Sequence, residues 1–260
     1  MPDNPLKAPW KLIRKVVARR IASAGGALLN IITKQPLPRT VAEWRHLNCS
    51  FSQFAEDLLV LRALESLGKK DSVGYYVDVG AFDPLMYSNT LRLRWNGWQG
   101  INIDPQPRHI SGFQNERPGD INLQLAISGK SGIAEFLCYD SGVTGRLATT
   151  DQTTAKSILG EEVREVIRVP TNTLAAVLTK YAPSDQPFGF LSVDCEGADL
   201  EVLQSNDWTR FKPWIIAVED HPEYRETEID RFCKNHGYKF FAMAYVTKIF
   251  VQCNGNTHKH

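Results

Sequence analysis

The sequence predicts an α/β fold organised around a parallel sheet with an antiparallel terminal pair, preceded by a helix and interrupted by one long insertion. Three observations predict it. Short apolar runs rich in β-branched and aromatic residues alternate with segments of helical periodicity. Several of those runs end on glycine or on a carboxylate. Residues 239–245 and 249–253 close the chain as two β runs separated by a tight turn.

The elements follow in order. Residues 6–33 place Trp10, Ile13, Val17, Ile21, Ala24 and Leu28 at three- and four-residue steps with basic residues between them, the pattern of an amphipathic helix weakened by Gly25-Gly26. Residues 1–42 hold eight Lys and Arg against Asp3 alone, whereas the whole chain carries +1, so the remainder is acidic. An acidic body excludes a nucleic-acid surface there. The basic helix suits an anionic membrane surface, the body of the protein or a second copy of the chain. Pro36 and Pro38 mark a linker, which divides the chain into residues 1–45 and a main domain over 46–260.

Residues 53–67 read as a helix with Phe54, Leu58, Leu61 and Leu64 on one face, closed by Gly68. Residues 75–80 form the first strand, 88–95 a helix, and 100–104 a second strand with Pro105 and Pro107 opening the next helix. Residues 121–127 alternate as a third strand. Residues 188–194 and 214–219 are two further buried strands, each followed by a helix. Between the third strand and the strand at 188, residues 128–187 carry a β-hairpin near 134–139, a Gly/Ser/Thr-rich loop over 141–150 and a helix near 173–180. An insertion of this length is expected to be a functional cap.

Five cysteines at scattered positions, with no C-x-x-C pair, frame neither a disulfide lattice nor a zinc site and point to a reducing cytoplasm. No apolar run reaches the length of a membrane span, so membrane contact, if made through residues 6–33, is expected to be peripheral, at the inner face.

In open α/β sheets ligands bind beyond the carboxyl ends of the strands. Those ends here are Asp78-Val79-Gly80-Ala81, Asp104, Ile127-Ser128, Asp194-Cys195-Glu196-Gly197 and Glu219-Asp220-His221. Four of the five sets carry carboxylates, an environment poor for a pyrophosphate and good for a cationic, hydroxyl-rich ligand. Gly80 permits a tight turn and close approach to the backbone. Asp104 closes the next strand, 24 residues on, at the spacing where an acid reaches a ribose diol. S-adenosylmethionine needs both features. Asp104 is equally suited to cap the helix that Pro105 introduces.

These residues also carry a family resemblance. Ser52-Gln53-Phe54-Ala55-Glu56-Asp57, Tyr76-Val77-Asp78-Val79-Gly80-Ala81, Ser88-Asn89-Thr90, Gly97-Trp98-x-Gly100-Ile101-Asn102-Ile103-Asp104-Pro105, Arg117-Pro118-x-Asp120-Ile121-Asn122 and Phe190-Leu191-Ser192-Val193-Asp194-x-Glu196-Gly197 stand in the order of the FkbM-type methyltransferases, which the chain resembles over about residues 50–220. The resemblance implies a class I, Rossmann-like fold, S-adenosylmethionine as donor and an O-methyl product, commonly on a sugar or glycan. It implies that Gln53, Glu56 and Asp78 to Ala81, Gly80 among them, hold the methionine end, with Asp104 on the ribose, Ile127 and Ser128 beside the adenine, and Asn89 among the cofactor-binding residues. Glu56 and Asp57 also read as solvated first-turn carboxylates. Ala55 stands where the family usually has glycine, a replacement that a helix tolerates.

A sugar hydroxyl is a weak nucleophile, so its proton must be removed or the developing alkoxide stabilised. The acids after the fourth and fifth strands are similar to those of metal-dependent sugar O-methyltransferases of the same fold. That resemblance implies Asp194, Glu219 and Asp220 as Mg²⁺ ligands and Glu196 as the base. His221, held by Pro222, is a rival base. Helix capping by Glu196 and a surface loop at His221 are the plainer readings. No glycine fingerprint of a nicotinamide enzyme, no G-x-S-x-G and no Asn/Asp-Pro-Pro-aromatic turn after the fourth strand is present. A cofactor-binding scaffold without activity, or an acceptor that is a lipid or a small natural product, remains as the alternative.

Overall fold

The computed structural model describes residues 48–139, 145–147, 163–221 and 226–253. The expected helix over 6–33 and its linker lie outside these residues, as does most of the loop over 141–150.

The central sheet has seven strands in the order β10-β11-β9-β8-β1-β2-β3. These are β1 (Tyr75–Val79), β2 (Gln99–Asp104), β3 (Ile121–Gln124), β8 (Phe188–Val193), β9 (Ile215–Glu219), β10 (Tyr238–Ala244) and β11 (Thr247–Gln252), with α3 (Pro107–Glu116) joining β2 to β3. β1 runs parallel to β2 and β8, as do β2 with β3 and β8 with β9; β11 is antiparallel to both β9 and β10. The chain is therefore a mixed α/β protein with a mostly parallel sheet.

Side chains alternate across each strand, which gives the sheet two apolar faces. Tyr75, Val77, Val79 and Leu191 point to the face covered by α4 (Leu174–Tyr181), α5 (Asp199–Gln204) and α6 (Glu228–Asn235). Tyr76, Phe190, Ile215 and Ala217 point to the other, where α1 (Glu56–Ser66) supplies Val60, Ala63 and Leu64 and α2 (Leu91–Trp95) supplies Leu93. Burying a large apolar side chain on either face stabilises the fold by roughly 1.5–3 kcal/mol.

The expected third strand over 121–127 is two strands. The chain breaks at Leu125, so that β4 (Ala126–Ile127) leaves the central sheet and pairs with β7 (Val163–Asn172) in a second sheet of order β4-β7-β5-β6. β5 (Gly132–Tyr139) runs antiparallel to both β7 and β6 (Gly145–Leu147). The hairpin expected within 134–139 is thus a long strand whose main partner lies further along the chain, Phe136 standing opposite Ile167, 31 residues on. Ala126, Phe136, Cys138 and Val169 form its own small core. The helix placed in the insertion, α4, instead covers the central sheet through Leu174, Val177 and Leu178, and Thr173 caps it by accepting from Ala176 N–H at 3.1 Å.

α1 starts at Glu56, three residues later than the periodicity suggests, because Ala55 holds a left-handed backbone at φ 69°. Ala55 is thus not inside the helix, and the replacement of glycine there is strained rather than harmless. α2 likewise starts late, where Ser88 Oγ accepts from Leu91 N–H at 3.1 Å.

Candidate functional site

The strand order reverses beside β1: the chain moves from β1 outward through β2 to β3, then returns to β8 on the other side of β1. Clefts in such sheets open at that reversal, beyond the carboxyl ends. Gly80 stands there at φ +79°, and a Cβ on it would lie 1.8 Å from the carbonyl oxygen of Asp194. Only glycine lets the ends of β1 and β8 come this close. Gly80 N–H and Ala81 N–H donate to Ile103 O, and Asp194 N–H donates to Val79 O, so three strand ends are knitted together.

A cleft of about 580 Å³, mouth included, opens on this junction. Gly80, Asp104, Ile127, Asp194 and Glu196 all line it, together with Phe82, Leu125, Phe136, Leu147 and Cys195. One end is apolar and the other acidic, the composition of a small-molecule site. Asp104 is buried at the end of β2, where it accepts from Phe82 N–H at 3.1 Å and Gln106 N–H at 2.7 Å; His109 Nδ1 lies 3.0 Å away. These contacts fix the carboxylate and join the loops after β1 and β2.

After β8 the backbone turns through left-handed residues at Glu196 (φ 53°) and Gly197 (φ 94°). Asp199 holds this turn by accepting from Cys195 N–H at 2.8 Å and Gly197 N–H at 3.0 Å. Burial pushes its carboxyl up to about 6, with those two amides working against the shift. The helix that follows has no side-chain cap, so neither Glu196 nor Asp199 caps it; Asp199 instead braces the turn that leads into it. Asp194 is open to the cleft, yet the protein packed around it strips away bulk water, and its carboxyl rises well above the usual range. The negative charges of Glu219, Asp199 and Glu196 and a hydrogen bond with Glu219 add to this. Burial pushes the Cys195 thiol far up as well.

Other expected donor-site residues lie outside this cleft lining. Asp78 is buried below the floor, accepting from Thr90 Oγ1 at 2.8 Å; burial raises its carboxyl to about 6 against the pull of that hydroxyl and of Arg117. Ala81 is buried, Asn89 Nδ2 donates to Ser192 Oγ at 3.3 Å, and Ser128 Oγ donates to Glu201 at 3.0 Å. Gln53 is exposed. Glu56 is buried and accepts from Phe54 N–H and Thr247 Oγ1, so it is not a solvated carboxylate, and burial raises its pKa. Asp57 is buried too and pairs with Arg92 at 3.0 Å.

The Arg-Pro-x-Asp motif is structural. Asp120 accepts from Tyr76 Oη at 2.5 Å and from Asn102 Nδ2 and Gly100 N–H. Arg117 is buried and donates to Thr90 Oγ1, Ser88 Oγ and the Pro84 carbonyl, which holds the loop above the cleft floor.

The expected metal site does not assemble. Asp220 pairs with Lys248 Nζ at 2.8 Å and accepts from Thr227 Oγ1 at 2.5 Å. Lys248 faces Val218 across the β9–β11 ladder, which sets its ammonium between Asp220 and Asp230. With a buried cation already satisfying Asp220, the trio of Asp194, Glu219 and Asp220 does not fit Mg²⁺. Among the described residues no group of three His, Cys, Asp or Glu side chains is set to hold a metal ion. Glu219, Asp220 and His221 line a separate groove with Asp199, Thr227 and Arg231. His221 is 79% exposed there, its Nε2 3.6 Å from Glu219. Glu196, not His221, stands in the cleft.

Sequence reasoning missed Phe82, Phe136, Leu147 and Asp199. Asp199, three residues after Glu196 and just before an apolar helical run, had a helix-start signal. Phe136 and Leu147 reach the cleft only through the pairing of the second sheet, which no local spacing reveals.

The fold and site are those of an α/β protein with an acidic cleft at its switch point. A family model, the methyltransferase FkbM domain, matches residues 78–240, and the chain belongs to this family of methyltransferases. None of the curated proteins compared with the chain matches it. No helix among the described residues is long and apolar enough to cross a membrane.

Proposed function

We propose that the chain is a class I, S-adenosylmethionine-dependent O-methyltransferase whose acceptor is a sugar hydroxyl. The observation that carries this reading is the convergence of Gly80, Asp104, Asp194 and Glu196 on one cleft at the switch point beside β1. The strand order, with β11 antiparallel between β9 and β10, supports the class I assignment.

S-adenosylmethionine supplies an electrophilic methyl group. Asp104 would hold the ribose diol, Ile127, Leu125 and Phe136 would pack the adenine, and the close-approach turn at Gly80 would face the amino-acid arm. The acidic end of the cleft favours a sulfonium cation. Glu196 would accept the proton of the acceptor hydroxyl as its oxygen bonds to the methyl carbon. No step is assigned to a metal. The test is calorimetric titration with S-adenosylmethionine, followed by transfer assays on a glycan panel. Binding that Asp104→Ala abolishes, with turnover that Glu196→Gln removes, supports the reading; binding without turnover favours a scaffold.

Residues 6–33 enter this reading as an anchor to an anionic membrane surface or to a second copy of the chain. Vesicle sedimentation with and without that segment separates the two.

A further inference from the structure

We propose that Phe54 and Tyr245 form the acceptor platform of this enzyme, an aromatic pair that receives the apolar face of a pyranose ring. The inference rests on the methyltransferase reading and names the residues and ligand class of its second subsite.

The two rings come from segments 191 residues apart and meet with centroids 4.7 Å apart and planes tilted by 47°. Both are exposed, Phe54 by 38% and Tyr245 by 72%. Tyr245 occupies the turn between β10 and β11 with φ 53°, where glycine or asparagine is favoured, and Phe54 precedes Ala55 at φ 69°. Two left-handed non-glycine residues are thus strained to hold two rings in solvent, and strain of this kind clusters at ligand clamps.

Their place in the fold gives the occupant. The turn at Tyr245 sits at the carboxyl edge of the sheet, since Val246 O accepts from Asp220 N–H at 2.8 Å and Thr247 pairs with Glu219. Thr247 Oγ1 donates to Glu56, the residue two after Phe54. Glu219 in turn is hydrogen-bonded to Asp194, which lines the cleft. The pair therefore stands on the β9 side of the transfer site, opposite the second sheet that lines the apolar end. Exposed aromatic faces beside carboxylates match a pyranose, which offers C–H groups on one face and hydroxyls around its rim. A flat aryl acceptor would call for a parallel apolar slot, and a tilted pair is not one.

The test is saturation-transfer NMR on the full chain with methyl pyranosides as probes and catechol as the aryl comparison, in the presence of S-adenosylhomocysteine. Saturation of pyranoside ring protons is expected, falling roughly five-fold in Phe54→Ala and in Tyr245→Ala and surviving in Tyr245→Phe. Affinity for S-adenosylmethionine, measured by calorimetry, should stay unchanged in all three variants and shows that they are folded. Pyranoside signals that ignore both alanine substitutions, or signals from catechol alone, overturn the platform while leaving methyl transfer intact. Failure of the unaltered protein to bind S-adenosylmethionine overturns the methyltransferase reading itself, and the platform with it.

Discussion

The Cα of Gly80 and the carbonyl of Asp194 approach so closely that a methyl group on the first would overlap the second at 1.8 Å. That contact seals the ends of β1 and β8 where the candidate cleft begins. In Gly80→Ala the clash is with backbone, and the left-handed φ adds strain, so a loss of roughly 3 kcal/mol in stability is expected. Urea denaturation measures it. Unchanged stability would mean that the two strand ends separate freely.

Asp104 holds two backbone amides and, in the proposed reading, the ribose of the donor. Asp104→Asn keeps the shape but removes the charge. Donor affinity should fall roughly 10- to 100-fold, the worth of a charge-assisted hydrogen bond, and because Phe82 N–H and Gln106 N–H use different oxygens the carboxamide leaves one of them unmet, so stability should also fall by about 1–3 kcal/mol. Calorimetry reads the first and thermal unfolding the second.

Ala55 is strained at φ 69°. Ala55→Gly should stabilise the protein by about 1 kcal/mol, a rise of about 2–4 °C in Tm for a domain of this size. Equal or lower stability would show that the strain is relieved elsewhere.

Asp78 and Asp199 each have a carboxyl raised to about 6 by burial, against about 3.9 in an unfolded chain. Between those values the folded state binds more protons than the unfolded one. Their contribution to stability is therefore full below about pH 4 and is lost as pH rises through about 6. Asp78→Asn, which can still accept from Thr90, should flatten this fall when stability is followed from pH 4 to pH 8. An unaltered slope would contradict the burial of a charge at Asp78.

Lys248 neutralises Asp220 and Asp230 from within the fold. Methyl transfer should therefore proceed unchanged in chelator and gain nothing from added Mg²⁺. Lys248→Met would strand two carboxylates and should cost about 3 kcal/mol of stability. A transfer rate that collapses in chelator would restore the metal reading.

The parts of this protein legible in its sequence are those in which local pattern and tertiary role coincide. The β1 and β2 runs end on Gly80 and Asp104, and both residues line the cleft because parallel strands deliver their carboxyl ends to one edge. Long-range pairings were not legible. Ile121, Leu123, Leu125 and Ile127 alternate as one strand, and only the competing partner at Thr171 and Asn172 draws Ala126 and Ile127 away. Asp220 resembled a ligand because Lys248, 28 residues later, is invisible to spacing. Ala55 resembled a helix residue because a backbone dihedral leaves no trace in periodicity.

β4 and β7 lie side by side at the root of the second sheet, with Ser128 N–H donating to Asn172 O at 2.9 Å. The segment between Ser128 and Asn172 is therefore closed at its base by this hydrogen bond, and Gly129 N–H, donating to Glu201 at 2.7 Å, ties it to the neighbouring helix. Lengthening or trimming a lobe tied off in this way adds only a fraction of a kcal/mol in closure entropy for each doubling of its length, about 0.6. The second sheet can accordingly change in length at little entropic cost so long as Phe136 and Leu147 keep their places on the cleft rim, while the central sheet beneath keeps its register.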